Sequence, residues 1–242
     1  MDGLSYYRDG QLQLAINALG DELKKQPLDA RRRTFLFELL CFAGEYDRAG
    51  KQLDILSDSS KEAAAGTMLY RAALHAEKTR QEMFAKDELP MGTTHPVPSG
   101  ILNGQEFTSL QDADPRIGAN LEVFIAGSYT WIPFAYVESV EMQAPKKLRD
   151  LLWIPAVLHT TEDFRLQDLG EVLLPALAPL SWKHPDDAVR LGRATAWEDN
   201  EKHGAVPYGQ KLLLRGDEEE PFLELRNLTF KHTREAAESA TP

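Results

Sequence analysis

Three side chains that can transfer protons or bind metal lie close together in this 242-residue chain: His159, Glu162 and Asp163. An imidazole beside two carboxylates can form a metal site or an acid–base pair. The segment follows an apolar run and is typical of a strand end and a turn. We therefore interpret it as a solvated turn and keep a metal or hydrolytic site as the alternative.

A second candidate is the segment Asp112-Ala-Asp114-Pro-Arg116. Two carboxylates, a rigid proline and an arginine can form a bidentate ion pair. We predict that Asp112, Asp114 and Arg116 are structural anchors that fix the loop between two domains. A catalytic pair of carboxylates, combined with the His159 segment, is the sharper alternative.

Arg193 and Trp197 form a third candidate, because a guanidinium near an indole can stack on it or bind a ligand carboxylate. We predict that both are structural anchors. Cys41, the one cysteine, lies in an apolar helical segment and is predicted to be a buried small side chain. A single cysteine allows no internal disulfide, which favours a reducing compartment and a cytoplasmic location.

Several classes of function are disfavoured. The chain contains no phosphate-binding G-x-x-x-x-G-K-[ST] loop, no G-x-G-x-x-G after a strand, no G-x-S-x-G elbow and no H-E-x-x-H. A net charge of -11 opposes nucleic-acid binding. Its longest apolar stretches, 151–158 and 172–180, are too short to span a membrane. We expect no cofactor, no metal, no nucleic acid and no membrane insertion.

The elements that would position these residues fall into two groups, and the first contains an internal repeat. Gly10 and Gly44 are 34 residues apart, as are Ala15 and Ala49. Apolar residues within this region recur at helical spacing. The segment 44–49 resembles the Gly-x-Tyr-x-x-Ala core of tetratricopeptide repeats, whose period is 34 residues. We therefore predict tetratricopeptide-like helical repeats over 1–88.

Stacked helix pairs present a concave groove that can hold an amphipathic helix. On the repeat template, six residues are predicted to face that groove and bind a partner: Arg31, Thr34, Glu38, Met68, Ala72 and His75. A strand or patch on the acidic C-terminal domain is the alternative binding site.

The rest of the chain changes character. Residues 89–111 are rich in proline and glycine, which predicts a linker or loop. Alternating apolar and polar residues then predict a small α+β domain with an antiparallel sheet over 112–232. Residues 233–242 are predicted to be a flexible tail. The expected fold class is α+β.

Six segments, taken in order, are similar to the ImpE/SciE family of bacterial type VI secretion accessory proteins. They are Asp112-Ala-Asp-Pro-Arg-Ile-Gly118, Leu121-Glu-Val123, Tyr129-x-Trp131-Ile-Pro133-Phe134, Leu148-Arg-Asp-Leu-Leu-Trp153, Leu174-Pro175 and Leu191-Gly-Arg-x-Thr-x-Trp197. The family resemblance extends from the helical repeats to the strand near Phe230.

The resemblance implies a non-enzymatic adaptor. Such proteins bind the N-terminal helix of the small sheath subunit of the contractile apparatus, and through it are linked to sheath assembly and to disassembly by the ClpV ATPase. Two other hypotheses stay open at this point: a general peptide-binding repeat protein, and a hydrolase or metal enzyme.

Overall fold

A computed structural model describes residues 1–58, 61–90, 96–164 and 169–232. The predicted tail, 233–242, lies outside these described residues. Five α-helices lie in the described part of the first 90 residues: α1 (Gly3–Arg8), α2 (Leu12–Lys25), α3 (Ala30–Phe42), α4 (Tyr46–Ser57) and α5 (Lys61–Lys86). Each of these helices packs against the next one along the chain.

Local signals in the sequence set the ends of α3. The Asp29 carboxylate accepts a hydrogen bond from the backbone N–H of Arg32 at 3.0 Å, so Asp29 caps the helix. Gly44 follows its C-terminal end with φ +72°, a backbone conformation that glycine adopts without strain. A Cβ on Gly44 would also overlap the Trp182 ring. This glycine therefore both ends a helix and admits a side chain from the second domain.

The helices follow the predicted period at one point, because α2 and α4 begin 34 residues apart, at Leu12 and Tyr46. Their tetratricopeptide-like character stays a prediction.

The rest of the described chain contains one short α-helix, α6 (Asp187–Arg190), four short 3-10 turns and a set of antiparallel strands. They are β1 (Gly100–Leu102), β2 (Gln105–Phe107), β3 (Leu110–Asp112), β4 (Asn120–Ile125), β5 (Ser128–Pro133), β6 (Val137–Met142), β7 (Trp153–Thr160), β8 (Gly170–Pro175), β9 (Thr195–Asn200), β10 (Gly204–Gly209), β11 (Leu212–Arg215), β12 (Glu218–Pro221) and β13 (Asn227–Phe230). The predicted α+β class and antiparallel sheet are confirmed.

The largest sheet has eight strands in the order β2-β1-β13-β6-β7-β8-β4-β5. Strands β3, β11 and β12 form a three-stranded sheet, and β9 pairs with β10 in a separate hairpin. That hairpin was not predicted, because its charged residues and Pro207 obscure the alternation that marks a strand.

The predicted linker is partly wrong. Within 89–111, strands β1 and β2 form a hairpin on the eight-stranded sheet, and β3 pairs with β11. The hairpin turn is Asn103-Gly104, and both residues have positive φ, as a two-residue hairpin turn requires. Buried Leu102 and Phe107 hold the hairpin on the sheet. Gly104 therefore marks a turn between strands, whereas Pro96 and Pro98 precede β1.

The two predicted domains share a buried interface. The apolar core of the helices includes Phe124 of β4, Trp153 of β7 and Leu191, which follows α6. A second core lies within the sheets and includes Val140, Leu158 and Leu174. Since the first core continues from the helices into the sheet domain, it holds the two units against each other.

Candidate interaction surface

A buried ionic cluster joins α5 to the sheet. Arg80 and Glu122 are each 1% exposed, and the guanidinium donates two hydrogen bonds to the carboxylate, at 2.7 and 2.9 Å. Lys211 pairs with Glu122 and lies 2.7 Å from the Asp112 carboxylate. Three elements of both domains thus meet in one charged network, which fixes the position of α5.

The electrostatics of this cluster follow from its geometry. Burial alone opposes the ionisation of Glu122, but the charges of Arg80 and Lys211 outweigh it and lower its pKa to about 2. Burial raises the pKa of Asp112 to about 6, against the opposing effect of Lys211. Glu122 therefore supplies the firmly ionised carboxylate of the network.

A second group of polar contacts extends the same interface. The Trp153 indole N–H donates to Glu77 at 2.9 Å, and Glu77 also pairs with Arg80. The Gln81 side chain accepts a hydrogen bond from the backbone N–H of Leu180 at 2.9 Å. These contacts extend the α5 interface from the sheet to the loop that follows β8.

No motif in the sequence pointed to Arg80, Glu122 or Lys211. Alternation along β4 placed Glu122 on the side opposite Leu121 and Val123, the side expected to face solvent. In the structure α5 covers that side. The burial of Glu122 follows from its contact with α5, which the pattern of residues along β4 does not predict.

The predicted anchors Asp114 and Arg116 lie together at the same interface. The Arg116 guanidinium forms a forked ion pair with the Asp114 carboxylate, with hydrogen bonds of 2.6 and 2.8 Å. The guanidinium carbon also lies 5.0 Å from the centre of the Phe84 ring on α5. The pair therefore connects the loop after β3 to the end of α5.

Arg193 and Trp197, both predicted to be structural anchors, have different surroundings. Arg193 donates hydrogen bonds to the backbone oxygens of Tyr7, at 2.6 Å, and Arg8, at 3.1 Å, and stacks on the Tyr7 ring. It thereby connects the end of α1 to the second domain. Trp197 lies on β9 opposite Pro207 and is 41% exposed.

The residues proposed for a metal or hydrolytic site do not form a metal-binding group in the described part of the chain. His159 lies at the exposed end of β7, whereas Asp112 and Asp114 are buried in their ion pairs. Across the described ranges, no group of three or more His, Cys, Asp or Glu residues is arranged to hold a metal ion. Nor does any helix in the described ranges have the length and apolar character needed to cross a membrane.

The six predicted partner-binding residues differ in accessibility. Arg31 and His75 are exposed, Met68 is 72% exposed, and Thr34 and Ala72 are half-buried. Glu38 does not face an open groove, which corrects that expectation. It is buried because the turn at 148–151 packs on α3.

Burial raises the pKa of Glu38 to about 7, although the nearby Arg149 favours its ionised form. The Arg149 guanidinium lies over the Tyr70 ring of α5, 5.0 Å from its centre. The second domain thus fills part of the concave side that the repeat template left open.

An apolar groove remains open beside α5. Its volume is about 330 Å³. Leu69 and Ala72 form one wall, and Phe124, Leu173 and the Ala126–Gly127 turn form the other. Leu69 is 51% exposed, and Met68, which is 72% exposed, precedes it on α5. The groove can therefore accept apolar side chains of another polypeptide, and Ala72 of the predicted set lines it.

The chain is similar to known proteins in both sequence and fold. The family model described as ImpE protein matches residues 104–229. The type VI secretion system accessory component TagJ of Pseudomonas aeruginosa is 32% identical, and the alignment covers 93% of this chain and 90% of that protein. A crystal structure of a Vibrio parahaemolyticus protein superposes with a TM-score of 0.82 at 24% identity, covering 96% of this chain and 98% of that one, which supports the fold.

Proposed function

This chain belongs to the ImpE family, and on that premise we propose that it is an accessory component of type VI secretion that works by binding another polypeptide. The observation that carries the proposal is the 32% identity to TagJ across 93% of the chain. Because the alignment covers 93% of the chain, it includes both the helical and the sheet regions.

The finer proposal concerns the partner. We propose that the protein binds the N-terminal helix of the small sheath subunit, and through it assists sheath assembly or ClpV-linked disassembly in the cytoplasm. The family resemblance is the ground for this partner. The exposed apolar side chains Met68 and Leu69, placed beside an open groove, give a helix something to bind.

The proposal includes no covalent chemistry. The buried charged groups are engaged with one another: Glu122 with Arg80 and Lys211, and Asp114 with Arg116. These pairs fix the orientation of α5 relative to the sheet. A rigid surface loses little conformational freedom on binding, so these pairs support affinity indirectly.

The test is a calorimetric titration of the intact protein with a synthetic peptide that copies the first helix of the small sheath subunit from the same organism. We expect saturable binding with a Kd on the order of 1 μM, or about -8 kcal/mol. A peptide of the same composition in scrambled order is the control. Failure of the native peptide to bind would remove the proposal.

A further inference from the structure

The hairpin of β9 and β10 carries Trp197, a side chain that takes no part in the groove beside α5. This hairpin forms a sheet of its own, and no other strand in the described ranges pairs with β9. Residues 197–200 of β9 are all exposed. We name the side of β9 that faces away from β10 the open edge.

The hydrogen bonds of Gly209 on β10 establish which backbone groups of β9 point to the open edge. The N–H of Gly209 donates to Ser181 Oγ at 2.7 Å, and its carbonyl oxygen accepts from the backbone N–H of Ala178 at 2.8 Å. Both groups therefore point away from β9. Gly209 and Thr195, which lie opposite each other, thus form a non-hydrogen-bonded pair.

Hydrogen-bonded and non-hydrogen-bonded pairs alternate along antiparallel strands, which fixes the direction of the next backbone groups. Trp197 lies opposite Pro207, which has no N–H to donate, and Asp199 lies opposite Ala205. Both pairs are of the non-hydrogen-bonded type, so the N–H and C=O groups of Trp197 and Asp199 point to the open edge. None of these four groups has a hydrogen-bond partner among the residues that the structure describes. An added strand binds to such a row of free groups.

Negative charge is concentrated along the open edge. Glu198, Asp199 and Glu201 are exposed, and neither of the last two forms an ion pair with a described residue. The cations of the adjoining turn, Lys202 and His203, are already paired with a carboxylate that directly follows α5. A partner at this edge therefore meets uncompensated carboxylates, which cationic side chains complement.

The side chains of the open edge also favour one kind of cation. Trp197 and Asp199 project from the same face of β9, because they are two residues apart on a strand. Trp197 is 41% exposed. An arginine on an added strand can stack on this indole and pair with the Asp199 carboxylate. A second copy of the chain does not suit the edge, because pairing two β9 strands would bring three exposed carboxylates of each copy into one interface.

We propose that the open edge binds an extended, arginine-containing segment of another protein as an added strand. The segment forms backbone hydrogen bonds with Trp197 and Asp199, and its arginine side chains contact the indole and the carboxylates. The open edge shares no residue with the groove beside α5, so this inference goes beyond the proposed function and is tested without the sheath peptide.

The probe is a fluorescein-labelled peptide of about eight residues in which arginine and valine alternate, slightly longer than β9. It is titrated into the intact protein, and anisotropy reports saturable binding. The control is the same peptide with its four central backbone amides N-methylated, which keeps the charge and removes the N–H donors. We expect the control peptide to bind roughly tenfold more weakly, because it loses hydrogen bonds to the open edge.

Two variants of the protein test the side chains. Asp199→Lys should weaken binding about fivefold, and Trp197→Ala roughly tenfold, since it removes the aromatic contact. Glu219→Lys is the matched control, because Glu219 is an exposed carboxylate on β12, which also lies at a sheet edge, and the change in net charge is the same. It should alter the Kd less than about twofold. Circular dichroism checks that all three variants fold.

Amide hydrogen exchange, measured by NMR, locates the bound peptide. Saturating peptide should slow exchange at the N–H groups of Trp197 and Asp199 about tenfold or more, while those of Ala196 and Glu198, which point to β10, stay unchanged. Equal binding of the N-methylated peptide, or equal weakening by Glu219→Lys, would show attraction by net charge alone and overturn the proposal. Absence of binding, or a dimer in sedimentation that Trp197→Ala dissociates, would overturn it as well.

Discussion

Glu122→Gln is the substitution that most directly tests the ionic cluster between α5 and the sheet. The change keeps the shape of the side chain but removes the charge that Arg80 and Lys211 share. Both cations are almost fully buried, so neither can regain its hydration without opening the interface. Breaking a buried pair in this way typically costs about 3–5 kcal/mol.

The lowered pKa of Glu122 predicts how this stabilisation depends on pH. Its pKa is about 2 in the folded protein, against 4.5 for an unperturbed glutamate. A lowered pKa means that the stabilisation is complete above pH 4.5 and is lost as the pH falls towards 2. The difference corresponds to about 3 kcal/mol of stability that the ionised carboxylate contributes at neutral pH.

Urea unfolding at pH 7 measures the effect, with tryptophan fluorescence as the signal. Trp153 and Trp182 lie at the interface of α5 with the second domain and report its separation. Lys24→Ala is the control, because its ion pair with Asp21 is largely exposed and should leave the midpoint unchanged. A loss below about 1 kcal/mol for Glu122→Gln would refute the account of the cluster.

Three further predictions concern single positions. Glu38→Gln should stabilise the protein by about 3 kcal/mol at pH 8, because the wild-type protein must ionise a buried group whose folded pKa is about 7. The stabilisation should decrease as the pH falls from 7 to 4.5 and vanish below pH 4.5. Urea unfolding at several pH values measures this dependence. Gly44→Ala should lower the free energy of unfolding by about 1–3 kcal/mol, because a Cβ at this positive φ would overlap Trp182. Gly20→Ala is the control, because a Cβ in the middle of α2 meets nothing within 4 Å and should stabilise the protein slightly. Thermal unfolding of both variants measures the difference. Arg193→Ala should accelerate hydrogen exchange over residues 3–8 without changing exchange in α3, because it removes the two hydrogen bonds that hold the end of α1; unchanged exchange at α1 would contradict this.

Local signals predicted much of the fold. The cap at Asp29 and the glycine at position 44 set the ends of α3, and the alternation of apolar and polar residues predicted the antiparallel sheet that contains β4 and β6. The hairpin at Asn103-Gly104 was missed although its turn signal is present, because the surrounding prolines and glycines suggested a linker.

Contacts between distant segments could not be predicted. Glu38 and Glu122 occupy positions that local periodicity assigns to open surfaces, and both are buried by elements from the other domain. The apolar groove beside α5 combines residues 69–73, 124–127 and 171–173, which no spacing rule relates. A surface of this kind becomes visible only after α5 is placed on the sheet.

The most direct test of the central claim, that this protein acts by presenting a shaped surface to another polypeptide, is a crystal structure of the intact chain with the sheath-subunit helix. We expect an α-helix bound in the groove beside α5, with its apolar side chains on Leu69 and Leu173. A complex in which the helix leaves that groove empty would contradict that account.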